Sequence, residues 1–68
     1  MNDKYTYRIT WSEEGGEYVG LCAEFPSLSW LAKTQEMALA GIREVVSEAI
    51  RDMCASGEVV PEPLAAGK

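Results

Sequence analysis

Side chains able to do chemistry are few in this chain and unevenly spread. There is no histidine, there are two cysteines, Cys22 and Cys54, and eleven acidic residues face six basic ones, for a net charge of −5 over 68 residues. Without an imidazole neither a Ser-His-Asp nor a Cys-His relay can be assembled, because each needs a base that titrates near neutral pH to take the nucleophile's proton. Two thiols without a histidine are too few for a four-ligand zinc site or a disulfide framework, and they read as small buried or half-buried hydrophobes. Gly15-Gly16 is an isolated pair without the spacing of a phosphate-binding loop or a dinucleotide fingerprint, so it reads as a turn. Glu13, Glu14 and Glu17 gather around it; three carboxylates can hold a divalent cation, but at such a turn a solvated loop is the default reading. No catalytic residue, metal or cofactor is expected.

Two groups of side chains remain. Glu44, Glu48 and Asp52 form a like-charged row at four-residue spacing, partly relieved by Arg51, which lies three residues beyond Glu48. A solvated helix face explains such a row, and reception of a basic protein is the functional alternative. Tyr5, Tyr7 and Trp11 alternate along one segment, as do the aromatic platforms on which single-stranded RNA stacks. The acidic balance of the chain speaks against nucleic acid, which demands a basic footprint, so these rings belong to the core or to a subunit interface. Trp30, which follows a proline on a short strand, is either a core plug or an anchor in a partner's pocket.

The elements that must position these groups follow from periodicity. Residues 4–11, KYTYRITW, alternate with period two, placing Tyr5, Tyr7, Ile9 and Trp11 on one face of a half-buried strand. SEEGG then turns the chain into a hairpin. Residues 17–23, EYVGLCA, are apolar on both faces, with Val19, Leu21 and Ala23 opposite Tyr18 and Cys22, the composition of a central strand. Pro26 breaks the ladder, and residues 27–32 form a third strand. Thr34 is placed to cap a helix over about residues 35–55 that Gly57 ends in a left-handed conformation. On that helix Ala38, Leu39, Ile42, Val45, Val46, Ala49, Ile50 and Met53 fall within an arc of roughly 140°. Glu58-Val59-Val60 reads as a last short strand, stopped by Pro61 and Pro63, and residues 64–68 as a disordered tail.

The fold class predicted is therefore α+β, a β-β-β-α-β chain with a small antiparallel sheet and one long helix on one face. A chain of this length holds one domain, over residues 1–63, near the size at which a single core barely outweighs chain entropy. One helix covers one sheet face only, so Trp30, Met37 and the second face of the central strand call for shelter. Self-association as a homodimer or higher homo-oligomer is the expectation, with Tyr5, Tyr7 and Tyr18 at the interface. No apolar run is long enough to cross a bilayer and the N-terminus lacks a signal-peptide pattern, which places the protein in the cytoplasm, away from membranes.

The segment EYVGLCAEFPSLSWLAKTQEMAL, followed by GIREVVSEAI and SGEVVPEP, resembles the HicB family of antitoxins from type II toxin–antitoxin systems. The family's pattern is met by Tyr18-Val19, Glu24-Phe25-Pro26, Thr34, Glu36, Ala38-Leu39, Pro61 and Pro63, without a gap between Tyr18 and Leu39. Ala32-Lys33 stands where the family commonly has Gly-Asp, and Ser27 where it has Gly. The resemblance implies a truncated, partial RNase H-like fold. RNase H-type catalysis needs carboxylates converging on Mg²⁺ from the central strands, and YTYRITW carries none, so a catalytically inactive version is expected and a weak nuclease is the remote alternative.

By the same resemblance the chain is an antitoxin that binds and inhibits a HicA-type mRNA-cleaving ribonuclease, a small basic toxin that a charge of −5 would attract. The toxin contacts expected are Glu24, Phe25 and Trp30 around the proline turn, or Glu44 and Glu48 on the outer helix face. Many members of the family add a C-terminal DNA-binding domain. This chain ends soon after Pro63, so it is either a short member or one from which that domain is missing, and DNA binding by these residues alone is not expected. The alternative function is an oligomerisation or ligand-sensing module of a longer transcriptional regulator.

Overall fold

The computed structural model describes residues 4–62. Three strands and one helix follow one another as β1 (Tyr7–Ser12), β2 (Glu17–Cys22), β3 (Ser29–Ala32) and α1 (Gln35–Ser56). The sheet is antiparallel in the order β1-β2-β3, so β2 is the central strand that its two apolar faces predict. The hairpin pairs Ser12 with Glu17 across four turn residues, closed by a 2.8 Å bond from the Gly16 amide to the Ser12 carbonyl. Of the glycine pair only Gly16 takes a positive φ, 64°, the value at which a Cβ would be strained.

α1 is set at both ends by the residues that its sequence marks. The Thr34 hydroxyl accepts the Met37 amide at 3.1 Å, satisfying one of the unpaired donors of the first turn. At the other end Gly57 adopts φ 77°, its amide donates to the Cys54 carbonyl and the Glu58 amide to the Met53 carbonyl. That double bond pattern is a Schellman closure, which a left-handed residue makes possible. Between the caps, Ala38, Ile42 and Val46 repeat every four residues and are completely buried, while Leu39, Val45, Ala49, Ile50 and Met53 are half-buried beside them.

Register decides which side of the sheet the helix covers. Ile9, Gly20 and Trp30 stand in one row and Tyr7 and Cys22 in the next, all on the helix side; Arg8, Leu21 and Ser29, then Thr10, Val19 and Leu31, line the opposite, open face. The two layers approach closely at Gly20, where a Cβ would stand 2.6 Å from the Ala38 carbonyl oxygen and 3.0 Å from the Ile42 side chain. The absence of a side chain at the centre of β2 thus lets α1 lie against the strand. The core gathers at one end of this contact: Tyr5, Cys22, Phe25, Ile42 and Val46 form it, with Tyr7, Leu28, Leu39, Ile50, Met53 and Val60 packed against it.

Four expectations need correction. β1 begins at Tyr7 rather than Lys4, although the Ala23 amide still bonds the Thr6 carbonyl, and β2 ends at Cys22. β3 begins at Ser29 because residues 25–28 are occupied by a turn in which the Leu28 amide donates to the Phe25 carbonyl. The last strand predicted over residues 58–60 does not form: residues 58–62 carry no strand, and among the described residues the sheet has three. After the Gly57 reversal Val60 packs on the core, Val59 is left 89% exposed, and the Pro61 carbonyl accepts the Tyr5 hydroxyl at 2.6 Å. Side-chain anchoring replaces a ladder there, and Pro61 has no amide to offer one. The expected tail over 64–68 lies outside the described residues.

Candidate protein-interaction surface

Most of the residues singled out around the proline turn turn out to hold the fold together. Glu24 is half-buried and accepts the Thr6 amide at 2.9 Å, the Thr6 hydroxyl at 3.1 Å and the Cys22 thiol at 3.4 Å. One carboxylate therefore ties the approach to β1 to the end of β2. Phe25 is buried and meets Tyr5 edge to face at 5.5 Å between centroids, a geometry that the ring quadrupoles favour. The structure thus places Phe25 in the core rather than on an exposed toxin contact, and Tyr5 in the core rather than at a subunit interface. The reason is shared: the turn after β2 brings position 25 over the start of β1, where the two rings seal the end of the helix contact. Tyr7 is half-buried on the helix side, and Tyr18 is half-buried with its ring edge to face against Trp11, 4.9 Å between centroids.

Burial also sets the chemistry of this cluster. The Tyr5 hydroxyl is held above its ordinary pKa of 10.0, first by desolvation and then by the negative charge of Glu24. Burial likewise pushes the Cys22 thiol above its ordinary 9.0, the hydrogen bond to the Glu24 side chain adding in the same direction. Both folded-state values lie above the unfolded ones, so the stability they contribute is fully present below pH 9 and is lost as pH rises through the folded values. The thermal midpoint is therefore expected to hold steady to about pH 9 and to fall from there. Tyr5→Phe should flatten the upper part of that fall; a midpoint unchanged to pH 11 in the parent protein would contradict the assignment.

Trp30, Glu44 and Glu48 are on the surface, as a contact role requires. Trp30 lies on the helix side of β3 with its indole over Gly41 of α1, where any Cβ would enter the ring. Gly41, a weak helix residue costing about 1 kcal/mol against alanine, is explained by that close approach. Large apolar side chains are left open around it: Trp30 is 45%, Leu31 55% and Met37 61% exposed. With Glu17, Lys33 and Glu44 they line a groove of about 690 Å³ between the β3 edge and α1. Glu48 and Asp52 continue the acidic side of that groove at four-residue spacing along the helix.

Leu31, Gly41 and Glu17 were not legible as site residues, though the apolar pair Trp30-Leu31 on a strand that ends a sheet is a signal that could have found them. A smaller recess of about 250 Å³ lies at the far side, lined by Thr6, Arg8, Leu21, Cys22, Ala23 and Pro26. It holds one charged side chain and no convergent set of polar groups. Among the described residues no group of three or more cysteines and acids converges as a metal site, and no helix is long and apolar enough to cross a membrane. Compared with protein-family models, with curated proteins and with solved structures, the chain matches none.

Proposed function

We propose that this chain is a non-catalytic binding domain of antitoxin type, which neutralises a small basic ribonuclease of the HicA kind by covering it. The observation that carries the proposal is the surface just described, an apolar groove around Trp30 that Glu44 lines from the helix, with Glu48 and Asp52 beyond it at helical spacing. An apolar anchor site gives affinity through a few well-packed side chains, and an acidic field raises the rate at which a basic partner arrives. The motif resemblance over residues 5–63 and the β-β-β-α order support the same reading. Glu24 and Phe25 then act indirectly, by holding the frame, and the direct contacts fall to the groove.

The test is to titrate the protein into a cleavage assay of the ribonuclease encoded beside it and to follow complex formation by light scattering on a sizing column. Cleavage is expected to fall to background near a fixed stoichiometry, with a stable complex. Full cleavage at excess protein would refute the antitoxin role. A second reading, an assembly module of a longer regulator, is favoured by the open sheet face, where Val19 and Leu21 stand beside Leu31 with no layer of the described residues over them. In that case the column shows concentration-dependent self-association and no complex.

A further inference from the structure

β3 is an edge strand whose residues have the pattern of a central one. Trp30 and Ala32 point to the helix side and Leu31 to the open face, so apolar side chains occur on both, as in strands with neighbours at either hand. The strand is short, four residues, and Lys33 follows it, but residues 29–32 themselves contain no charge and no proline, and their register with β2 runs without a bulge. The other edge differs, because β1 shows Arg8 and Thr10 exposed on its open face. The β3 edge is thus built to receive a strand.

The helix flank beside it selects which strand. Glu44 lines the groove with Trp30, Met37 and Lys33, and Glu48 and Asp52 extend the carboxylates along the same flank, where Arg51 offsets part of their charge. A second copy joined β3 to β3 about a twofold axis would set two such acidic rows against each other, and like charges brought together disfavour that pairing. A segment rich in lysine or arginine meets the row with complementary charge. Trp30, Leu31 and Met37 leave about half of their surfaces open, and a contact of strand-by-strand size is one in which anchors and charge decide affinity.

We propose that the β3 edge takes up an extended segment of a basic partner protein as a fourth strand, with an apolar side chain of that segment beside Trp30 and Met37 and its cationic side chains along Glu44 and Glu48. Main-chain bonds supply the docking, and the alternate pockets and charges supply the choice of partner. The inference rests on the antitoxin reading for the identity of that partner, the HicA-type ribonuclease, and adds where it binds.

The experiment measures the dissociation constant and salt dependence of the complex between the full chain and that ribonuclease, for the parent protein, Leu31→Lys, the double variant Glu44→Lys/Glu48→Lys, and Thr10→Lys on the opposite edge. Thermal midpoints are recorded alongside. Leu31→Lys is expected to weaken binding at least about tenfold at an unchanged midpoint, and the double variant to slow association about tenfold and abolish its salt dependence. Thr10→Lys should bind as the parent does. Should Leu31→Lys fail to fold, the double variant, confined to exposed helix positions, still decides the matter. Parent-like binding by the variants that fold overturns the site while leaving the antitoxin role intact. A parent dimer that Leu31→Lys dissociates assigns the edge to a second copy and also overturns it. Failure of the parent to bind the ribonuclease overturns the antitoxin reading and this inference together.

Discussion

Ile42→Ala is expected to lower the free energy of unfolding by about 2–5 kcal/mol, toward the upper end of that range. Ile42 is completely buried at the middle of α1, directly over Gly20. Removing its outer carbons loses their transfer energy and leaves a cavity whose cost depends on whether the walls can close. One wall is the backbone of β2, pinned by ladders to β1 and β3, and Gly20 has no side chain to move in. A domain of this size has a total stability of roughly 3–10 kcal/mol, so the variant should be largely unfolded at moderate temperature. Urea denaturation followed by circular dichroism measures the loss. A change under about 1 kcal/mol would show that the helix settles onto the strand and that the contact is softer than described.

Gly20→Ala carries the second large effect, and its sign is the informative part. In an ordinary strand alanine is preferred over glycine by about 0.5–1 kcal/mol, because glycine loses more backbone freedom on folding. Here the new Cβ would stand 2.6 Å from the Ala38 carbonyl oxygen and 3.0 Å from Ile42. The Ile42 side chain can yield, but the carbonyl belongs to the helix backbone and moves only if α1 lifts from the sheet. A destabilisation of about 1–3 kcal/mol is therefore expected, from a substitution that local propensity alone scores as favourable. Adding Ile42→Ala to Gly20→Ala should relieve part of the crowding, so the two effects will not sum; a double-mutant cycle reads the coupling. Stabilisation by Gly20→Ala would mean that the layers stand further apart. Lifting α1 would also move Gly41 from beneath Trp30 and deform the groove, so the same variant should bind a partner less well.

The value of these two positions lies in what they connect. β2 and α1 hold each other at Gly20, α1 holds Trp30 at Gly41, and Trp30 sets the rim on which the proposed fourth strand rests. Tightly packed layers transmit a misfit of one carbon over that distance, because interiors have no slack in which to absorb it.

Much of this architecture is written locally in the chain. Thr34 and Gly57 mark the helix because their side chain, or the lack of one, satisfies groups that every helix end leaves open. The four-residue repeat Ala38, Ile42, Val46 shows which helix face is buried, and the alternation in β1 and β2 shows two strands and a central position for the second. The acidic row at Glu44, Glu48 and Asp52 is equally plain, since it depends only on helical spacing.

What only the tertiary structure decided are the relations between segments far apart in sequence. The short run 58–60 has strand-like composition, yet whether it pairs depends on where the Gly57 reversal sends it, and there the Tyr5 hydroxyl takes its Pro61 carbonyl instead. Tyr5 reads as a core or interface ring and Phe25 as a contact at a turn until the two are found against each other. Glu24 looks like a contact residue until Thr6 and Cys22 are seen bonded to it. Gly20 and Gly41 look like weaknesses of a strand and a helix until the opposing carbonyl and indole are placed above them. Caps and periodicity are properties of a few consecutive residues, whereas burial, close approach and an open edge depend on which distant surfaces meet.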